Sequence, residues 1–217
     1  MADTDTTPRQ EDGRRARAKA ANREAILDAA RAIFVRMGVE SATVRDIIRE
    51  TDLAAGTFYN YFKSKEEVVK ALSELTTARF RPHLAEVRAA ASDLESYIRA
   101  AYRAYFAFLA EENAEIAGQG SLHMPMKGAR YDTPEMDAVV TEIRSDLERY
   151  FGEAGSSGID TEYMTAAAVG IALEIGDLML RRRPVDVDGA TCFASQLFLS
   201  GIGGARHCLR PEATTNT

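Results

Sequence analysis

The stretch TVRDIIRETDLAAGTFYNYFKSKEE, residues 43–67, decides the fold of this chain. Thr43 precedes Asp46 by three positions, and Ser64 precedes Glu67 by the same spacing. A Ser or Thr followed three residues later by an acidic residue is the pattern of a capping box at the start of a helix. Two helix starts are therefore predicted close together in this stretch.

The residues before this stretch also follow a helical period. A first helix is predicted over 18–37, where apolar residues form one buried stripe and Gly38 supplies the stop. A second helix opens at the first capping box, and a turn at 51–53 leads to a short third helix over 54–62. Three short helices, the last two joined by a tight turn, indicate a helix-turn-helix unit in an otherwise all-α chain.

The aromatic rings of the third predicted helix divide between two faces. Phe58 and Phe62 are four residues apart, so they share a face that can pack on Phe34 and Ile47. The outward set consists of Thr57, Tyr59 and Tyr61, followed by Lys63 and Lys65. Hydroxyls and flat rings suit a DNA groove, and lysines suit phosphates. The alternative is that all four rings belong to the core of a helical bundle.

The charge of the chain is unevenly distributed. Residues 13–65 hold 11 Lys and Arg against 6 Asp and Glu, whereas the rest of the chain holds 16 against 27. The net charge of −6 argues against bulk attraction to nucleic acid. A basic head on an acidic body is nevertheless typical of a local nucleic-acid surface, and it favours DNA binding over core packing for the outward residues.

Residues 25–69, AILDAARAIFVRMGVESATVRDIIRETDLAAGTFYNYFKSKEEVV, closely resemble the DNA-binding signature of the tetracycline-repressor (TetR) family of bacterial transcriptional regulators. The resemblance implies a three-helix DNA-binding head followed by a helical body that binds ligand and dimerises. It further implies a homodimer on a double-stranded DNA operator, with a small molecule in the body weakening DNA binding. The implied location is the bacterial cytoplasm, at the nucleoid.

The resemblance assigns DNA contacts to particular positions. They are Thr43, Arg45, Gly56, Thr57, Tyr59, Asn60, Tyr61 and Lys65, and Lys63 joins them on its charge. Two departures from the family pattern matter. Ala54 stands where the family commonly has a capping Ser or Thr, a loss worth about 1 kcal/mol. Ala55 removes a side chain that often reaches the groove.

The rest of the chain predicts the body. Helices are expected near 92–111, 134–152, 160–182 and 187–207, and a long loop near 118–132. Aromatic and Met-rich segments suit an apolar or planar effector, although ordinary core packing explains most such residues equally well. The candidate ligand-binding residues are Tyr102, Phe106, Met124, Met126, Tyr131 and Glu174.

Glu174 stands in the nearly apolar helix segment AAAVGIALEIGDLML. This setting predicts a buried carboxylate, which needs a polar partner. The partner is either a group on the ligand or an arginine or tyrosine hydroxyl across the bundle, and both alternatives stay open.

The last two predicted helices are the candidate dimer face, because large apolar residues alternate with small ones that let helices approach closely. The residues assigned to this face are Phe193, Leu197, Gly201 and Gly204. A monomeric core with a loose terminal helix is the alternative. Cys192 and Cys208 are too far apart to bridge within one helix, and buried thiols in a reducing cytoplasm are expected.

The predicted organisation is a disordered arm over 1–17, a head over 18–65, a body over 66–210 and a flexible tail over 211–217. No secretory signal or membrane-spanning run is expected. The three histidines lie far apart, and the common motifs of catalytic, metal and phosphate sites are missing, so we expect no catalytic site, metal or cofactor. The predicted function is a ligand-responsive repressor that a small, mainly apolar effector releases from a palindromic operator. The alternatives are an activator or ligand-independent regulator of the same fold, and a helical enzyme or interaction protein.

Overall fold

A computed structural model describes residues 8–117, 133–151 and 159–205, and all regular structure in these ranges is helical. The helices are α1 (Pro8–Met37), α2 (Val44–Arg49), α3 (Ala55–Tyr59), α4 (Lys65–Ala90), α5 (Leu94–Ala117), α6 (Pro134–Phe151), α7 (Thr161–Arg181) and α8 (Val187–Ala205). The predicted all-α fold is confirmed. The predicted loop near 118–132 lies outside the described residues.

The amino-terminal head has a core of its own, built from α1, α2, α3 and the first two turns of α4. Its buried apolar residues run from Ile26 to Leu72. Val68, Val69 and Leu72 of α4 belong to this core, so the head extends about two turns beyond the boundary predicted at residue 65. Burial of one apolar side of α4, rather than the capping box at its start, decides where the head ends.

Helix α1 begins earlier than predicted. It starts at Pro8, whereas the sequence predicted a disordered arm over 1–17. The first buried residue of α1 is Ile26, and residues 14–21 are exposed. Because the apolar stripe starts only at Ile26, the periodicity gave no signal for the preceding turns.

The body consists of the later turns of α4, against which α5 and α6 pack, together with α7 and α8, which pack on α5 and on each other. Its core joins Phe80 and Leu84 of α4 to side chains of α5, α6, α7 and α8. Helix α4 continues through Pro82. One helix therefore contributes to both cores and connects the head to the body.

Helix α7 is long and apolar enough to cross a membrane by length and composition alone. Nearly half of its apolar window is buried against neighbouring helices, and a core helix of a helical body passes the same test. Its start is fixed by Asp160, whose carboxylate accepts hydrogen bonds from the backbone N–H groups of Glu162 and Tyr163. The burial of α7 against its neighbours accounts for its apolar composition.

Candidate nucleic-acid interface and ligand cavity

Helix α3 is held by its inner aromatic face. Phe58 and Phe62 are 1% and 4% exposed and belong to the head core together with Phe34 and Ile47, as predicted. Tyr59 is 60% exposed, and its ring lies 5.4 Å from the Phe58 ring, centre to centre, in an edge-to-face arrangement. The helix therefore presents one large aromatic side chain to solvent from a well-packed base.

The other predicted DNA-contact residues of this segment differ in exposure. Gly56 and Asn60 are exposed, whereas Thr57 and Tyr61 are half-buried. Tyr61 packs against the head core, so its ring stabilises the head as well as reaching the surface. Ala54 gives α3 no side-chain cap, as its sequence predicted.

Helix α2 starts at a complete capping box. The Thr43 hydroxyl accepts a hydrogen bond from the Asp46 backbone N–H at 3.3 Å, and the Asp46 carboxylate accepts from the Thr43 backbone N–H at 3.0 Å. The Thr43 hydroxyl also donates to this carboxylate at 2.6 Å, and these bonds lower the pKa of Asp46. Arg45, the next residue but one after the cap, is exposed on the fixed first turn of α2.

Lys65 makes internal contacts that the sequence did not predict. Its ammonium donates hydrogen bonds to the carbonyl oxygens of Val39, Glu40 and Ala42, at 2.8, 3.1 and 3.0 Å. These carbonyls belong to the connection between α1 and α2, so the side chain ties α4 to that connection. The geometry favours a positioning role for Lys65 over a direct phosphate contact of its ammonium.

The start of α4 differs from the predicted capping box in one bond. The Ser64 hydroxyl accepts from the Glu67 backbone N–H at 3.4 Å, as predicted. The Glu67 carboxylate, however, accepts from the backbone N–H of Lys63 at 2.8 Å. The Lys63 side chain is exposed beside this turn.

The exposed part of α1 adds positive charge beside the recognition segment. The guanidinium carbon of Arg23, in the middle of α1, lies 5.3 Å from the centre of the Phe62 ring. This part of α1 therefore lies beside the residues that follow α3. The preceding exposed residues include Arg14, Arg15, Arg17 and Lys19. These charges belong to the basic head predicted from the sequence. Their position on a helix was not predicted, because the residues around them show no apolar periodicity.

The body contains a partly open cavity of about 110 Å³. Its walls come from α4, α5, α6 and α7 and are mostly apolar and aromatic, and the residues include Ser73, Thr76, Thr77, Phe80, Tyr97, Tyr102, Tyr105, Phe108, Leu109, Met136, Val139, Ala168 and Leu173. The cavity thus touches the helix that carries the head.

The predicted ligand-binding residues lie in three different places. Tyr102 lines the cavity. Phe106 is fully buried and stacks on Tyr102, with ring centres 6.0 Å apart, but does not line the cavity. Glu174 is exposed on α7, so the expectation of a buried carboxylate is wrong. Because an outward-facing apolar helix face looks like a buried one in sequence, the composition around Glu174 was misleading. Met124, Met126 and Tyr131 lie outside the described residues.

Two tyrosine hydroxyls in the cavity wall are already engaged. The Tyr97 hydroxyl donates to the Asp146 carboxylate at 2.8 Å, and the Tyr102 hydroxyl donates to the Ala168 carbonyl at 3.2 Å. Burial raises the pKa of both phenols, so both are neutral donors at neutral pH. Ser73 is 1% exposed, and its hydroxyl has no hydrogen-bond partner in the described part of the chain. Ser73 was not predicted as a site residue, because a single serine in an amphipathic helix belongs to no recognisable motif.

A network of ion pairs connects α6 to α4 beside the cavity wall. The Arg88 Nε lies 2.7 and 2.8 Å from the two carboxylate oxygens of Asp146, whose side chain is 3% exposed. Arg149 pairs with the same carboxylate. Arg81 and Arg88 both donate to Glu142 on the preceding turn of α6. The Tyr97 hydroxyl connects this network to the cavity wall.

The outer faces of α7 and α8 expose large apolar side chains. Phe193 and Leu197 on α8 are 58% and 51% exposed, and Tyr163 and Leu178 on α7 are 73% and 42% exposed. A Cβ added at Gly201 would meet no atom within 4 Å. Gly204 also lies on α8. Phe193 and Leu197 lie apart from the body core, in agreement with a surface that a partner covers.

Cys192 lies on the same exposed side of α8, so the expectation of buried thiols is wrong for this residue in the single chain. Cys208 lies outside the described residues.

Residues 26–72 match the sequence model of the bacterial regulatory proteins of the tetR family. The amino-terminal head is therefore a domain of the TetR family. The chain is 39% identical to the uncharacterised HTH-type regulator YvdT of Bacillus subtilis over 24% of this chain and 26% of YvdT. It is 32% identical to the HTH-type regulator UidR of Escherichia coli over 38% of this chain and 44% of UidR. The matched stretches thus span less than half of these two relatives. The HTH-type transcriptional regulator TcmR of Streptomyces glaucescens is 26% identical over 92% of this chain and 88% of its own.

Solved structures share the fold of this chain over most of its length. FadR of Bacillus subtilis, solved with stearoyl-CoA, superposes with a TM-score of 0.63 at 19% identity and covers 82% of this chain and 98% of its own. RolR, solved with resorcinol, superposes with a TM-score of 0.59 at 18% identity and covers 88% of this chain and 94% of its own. The two ligands differ widely in size.

Proposed function

We propose that this TetR-family chain is a ligand-responsive transcriptional regulator, a homodimeric repressor that a small, mainly apolar effector releases from a palindromic DNA operator in the bacterial cytoplasm. The observation that carries the proposal is helix α4. Its first turns belong to the core of a basic, surface-exposed helix-turn-helix head, and its next turns line an apolar cavity.

The DNA-binding part rests on the surface of the head. Tyr59 is exposed on the recognition helix α3, and Arg45 is exposed on the capped first turn of α2. In a helix-turn-helix, the second helix reads base edges in the major groove while the flanking residues hold phosphates. Thr57, Asn60 and Tyr61 are assigned to the same groove contact, with Gly56 allowing close approach of the backbone.

The homodimer rests on the exposed apolar faces of α7 and α8. A helix pair from each protomer would form a four-helix interface that covers Phe193 and Leu197. Two heads at a fixed separation then match two half-sites about one helical turn of DNA, or a multiple of it, apart.

The effector part rests on the cavity and on the family's range of ligands. Stearoyl-CoA and resorcinol bind to structural neighbours with the same fold. In this chain, a ligand among the cavity residues would contact α4 directly, and it would weaken DNA binding by the difference between its affinities for the two head arrangements.

The test starts with selection of binding sequences by the purified protein from a random duplex pool. We expect a palindromic site bound with a steep salt dependence, two protomers per duplex, and weaker binding to a scrambled duplex. Equal affinity for the selected and scrambled duplexes would contradict sequence-specific regulation. In a reporter strain that carries the selected site, lower expression in the presence of the protein supports a repressor, and higher expression supports the activator alternative.

A further inference from the structure

Ser73 is a buried polar side chain in the cavity wall. It is 1% exposed, it lines the cavity, and its hydroxyl has no hydrogen-bond partner in the described ranges. A buried hydroxyl without a partner is unfavourable, because it loses its hydrogen bonds to water on folding. Such a group in a cavity wall is suited to receive a polar atom of a ligand.

The other hydroxyls of the wall for which a bond is resolved are turned toward the protein. Tyr97 donates to Asp146, Tyr102 donates to the Ala168 carbonyl, and Thr76 donates to the Leu72 carbonyl at 3.0 Å. The described lining residues include no Asp, Glu, Lys, Arg or His. A charged ligand group would therefore enter without a counter-charge, which is strongly unfavourable in an apolar site.

The size of the cavity limits the ligand. Its volume of about 110 Å³ is somewhat smaller than that of the engineered apolar cavity of about 150 Å³, in another protein, that holds a benzene molecule. Flat side chains line it, including Phe80, Tyr105 and Phe108. A single aromatic ring suits both the volume and the walls of this partly open cavity.

We propose that the cavity binds an uncharged, single-ring aromatic compound with one hydroxyl group, and that Ser73 forms the hydrogen bond with that hydroxyl. The regulatory meaning of this site rests on the proposed function, but the binding itself does not. Ser73 directly follows Leu72, a residue of the head core, so the ligand's polar group would lie at the junction of the head and the body on α4.

The test is calorimetric titration of the full chain, without DNA, with 4-methylphenol, toluene and 4-methylbenzoate. These probes share a ring and a methyl group and differ in bearing a hydroxyl, no polar group or a charge. We expect 4-methylphenol to bind about 2- to 13-fold more tightly than toluene, as one net hydrogen bond allows. We expect 4-methylbenzoate to bind most weakly.

Ser73→Ala should remove the preference for 4-methylphenol while keeping toluene binding, and Ser73→Thr, which keeps a hydroxyl, should retain most of the preference. Ser195→Ala is the matched control, because Ser195 is also fully buried with an unpartnered hydroxyl but does not line the cavity. It should leave the preference unchanged.

An unchanged preference in Ser73→Ala, tighter binding of 4-methylbenzoate than of 4-methylphenol, or no binding of any probe at millimolar concentration to folded wild-type protein would each overturn the proposal. Because DNA is absent from these titrations, a failure of the proposed regulatory function would be seen separately, in the operator-binding assay.

Discussion

The ammonium of Lys65 lies 2.8 Å from the carbonyl oxygen of Val39 and holds α4 to the connection that follows α1. Two further carbonyls, of Glu40 and Ala42, accept hydrogen bonds from the same group. Lys65, at a position that the family resemblance assigned to phosphate contact, thus makes hydrogen bonds within the protein. These bonds fix the orientation of α4 relative to α1 and α2.

Replacement of Lys65 by Met should lower the free energy of unfolding of the head by about 2 kcal/mol, because three carbonyls lose a charged donor. The salt dependence of DNA binding should keep its slope. Lys63→Ala is the comparison, since Lys63 is exposed: it should leave stability unchanged and flatten the slope by about one phosphate contact. Thermal denaturation and DNA titrations at several salt concentrations measure both effects. A flattened slope in Lys65→Met with unchanged stability would restore the phosphate-contact role.

The two recognition tyrosines should behave differently. Tyr59→Ala should leave thermal stability nearly unchanged, because the ring is 60% exposed, and should weaken operator binding more than binding to random duplex. Tyr61→Ala should also lower stability, because its ring packs on the head core. Tyr61→Phe keeps that packing and isolates the hydroxyl. If Tyr59→Ala weakens binding to operator and random duplex equally, Tyr59 has no part in reading sequence.

The α7–α8 face can be tested at Gly201. A larger side chain at this position meets no atom of its own chain within 4 Å, so Gly201→Leu should leave the protomer folded. We expect it to separate the dimer into monomers at micromolar concentration, as measured by light scattering, and to weaken binding to the palindromic site. Glu86→Leu, at an exposed position on α4, is a control for added apolar surface. A monomeric wild type would contradict the assigned interface.

The network between α4 and α6 should contribute strongly to stability. Arg88→Met leaves the buried Asp146 carboxylate with fewer donors and should cost about 2–3 kcal/mol, somewhat less than for a fully isolated buried charge, because Arg149 remains beside it. Chemical denaturation of the variant and of the wild type measures the difference. Arg99→Met, which breaks an exposed pair with Glu95, should cost far less. Equal costs would show that Asp146 is not buried in solution.

The same network predicts a pH dependence. Burial alone would raise the pKa of Glu142, but hydrogen bonds from Arg81 and Arg88 outweigh it and hold the pKa below its usual 4.5. Stability from this group is therefore complete above that usual value and is lost as the pH falls through the lowered pKa. Glu142→Gln should reduce stability at neutral pH and flatten its decline in acid, as measured by denaturation at several pH values. An unchanged acid profile would exclude Glu142 from the network's contribution.

The sequence predicted the head far better than the ligand site. Capping boxes and the spacing of Phe58 and Phe62 are local signals, and they located α2, α3 and the start of α4. The bond from Lys65 to Val39 joins residues 26 positions apart in the chain, and no local pattern encodes it. The same holds for the cavity, whose walls come from four helices.

Glu174 shows a second limit of sequence reasoning. Apolar neighbours predicted burial, yet its side of α7 is exposed in the single chain. A helix face destined for a partner chain and a face destined for the core have the same composition, so periodicity cannot separate them. Phe193 and Leu197 are exposed in the single chain, and their assignment to a dimer face stays a prediction.

The head core ends at Leu72, and the cavity wall begins at the next residue, Ser73. The match to the tetR family covers residues 26–72, the same span as the head core. The head and the body therefore share helix α4, but no residue belongs to both apolar cores. A recombination event between codons 72 and 73 would exchange one intact core for another, so the head and the body can follow separate evolutionary histories within a single gene.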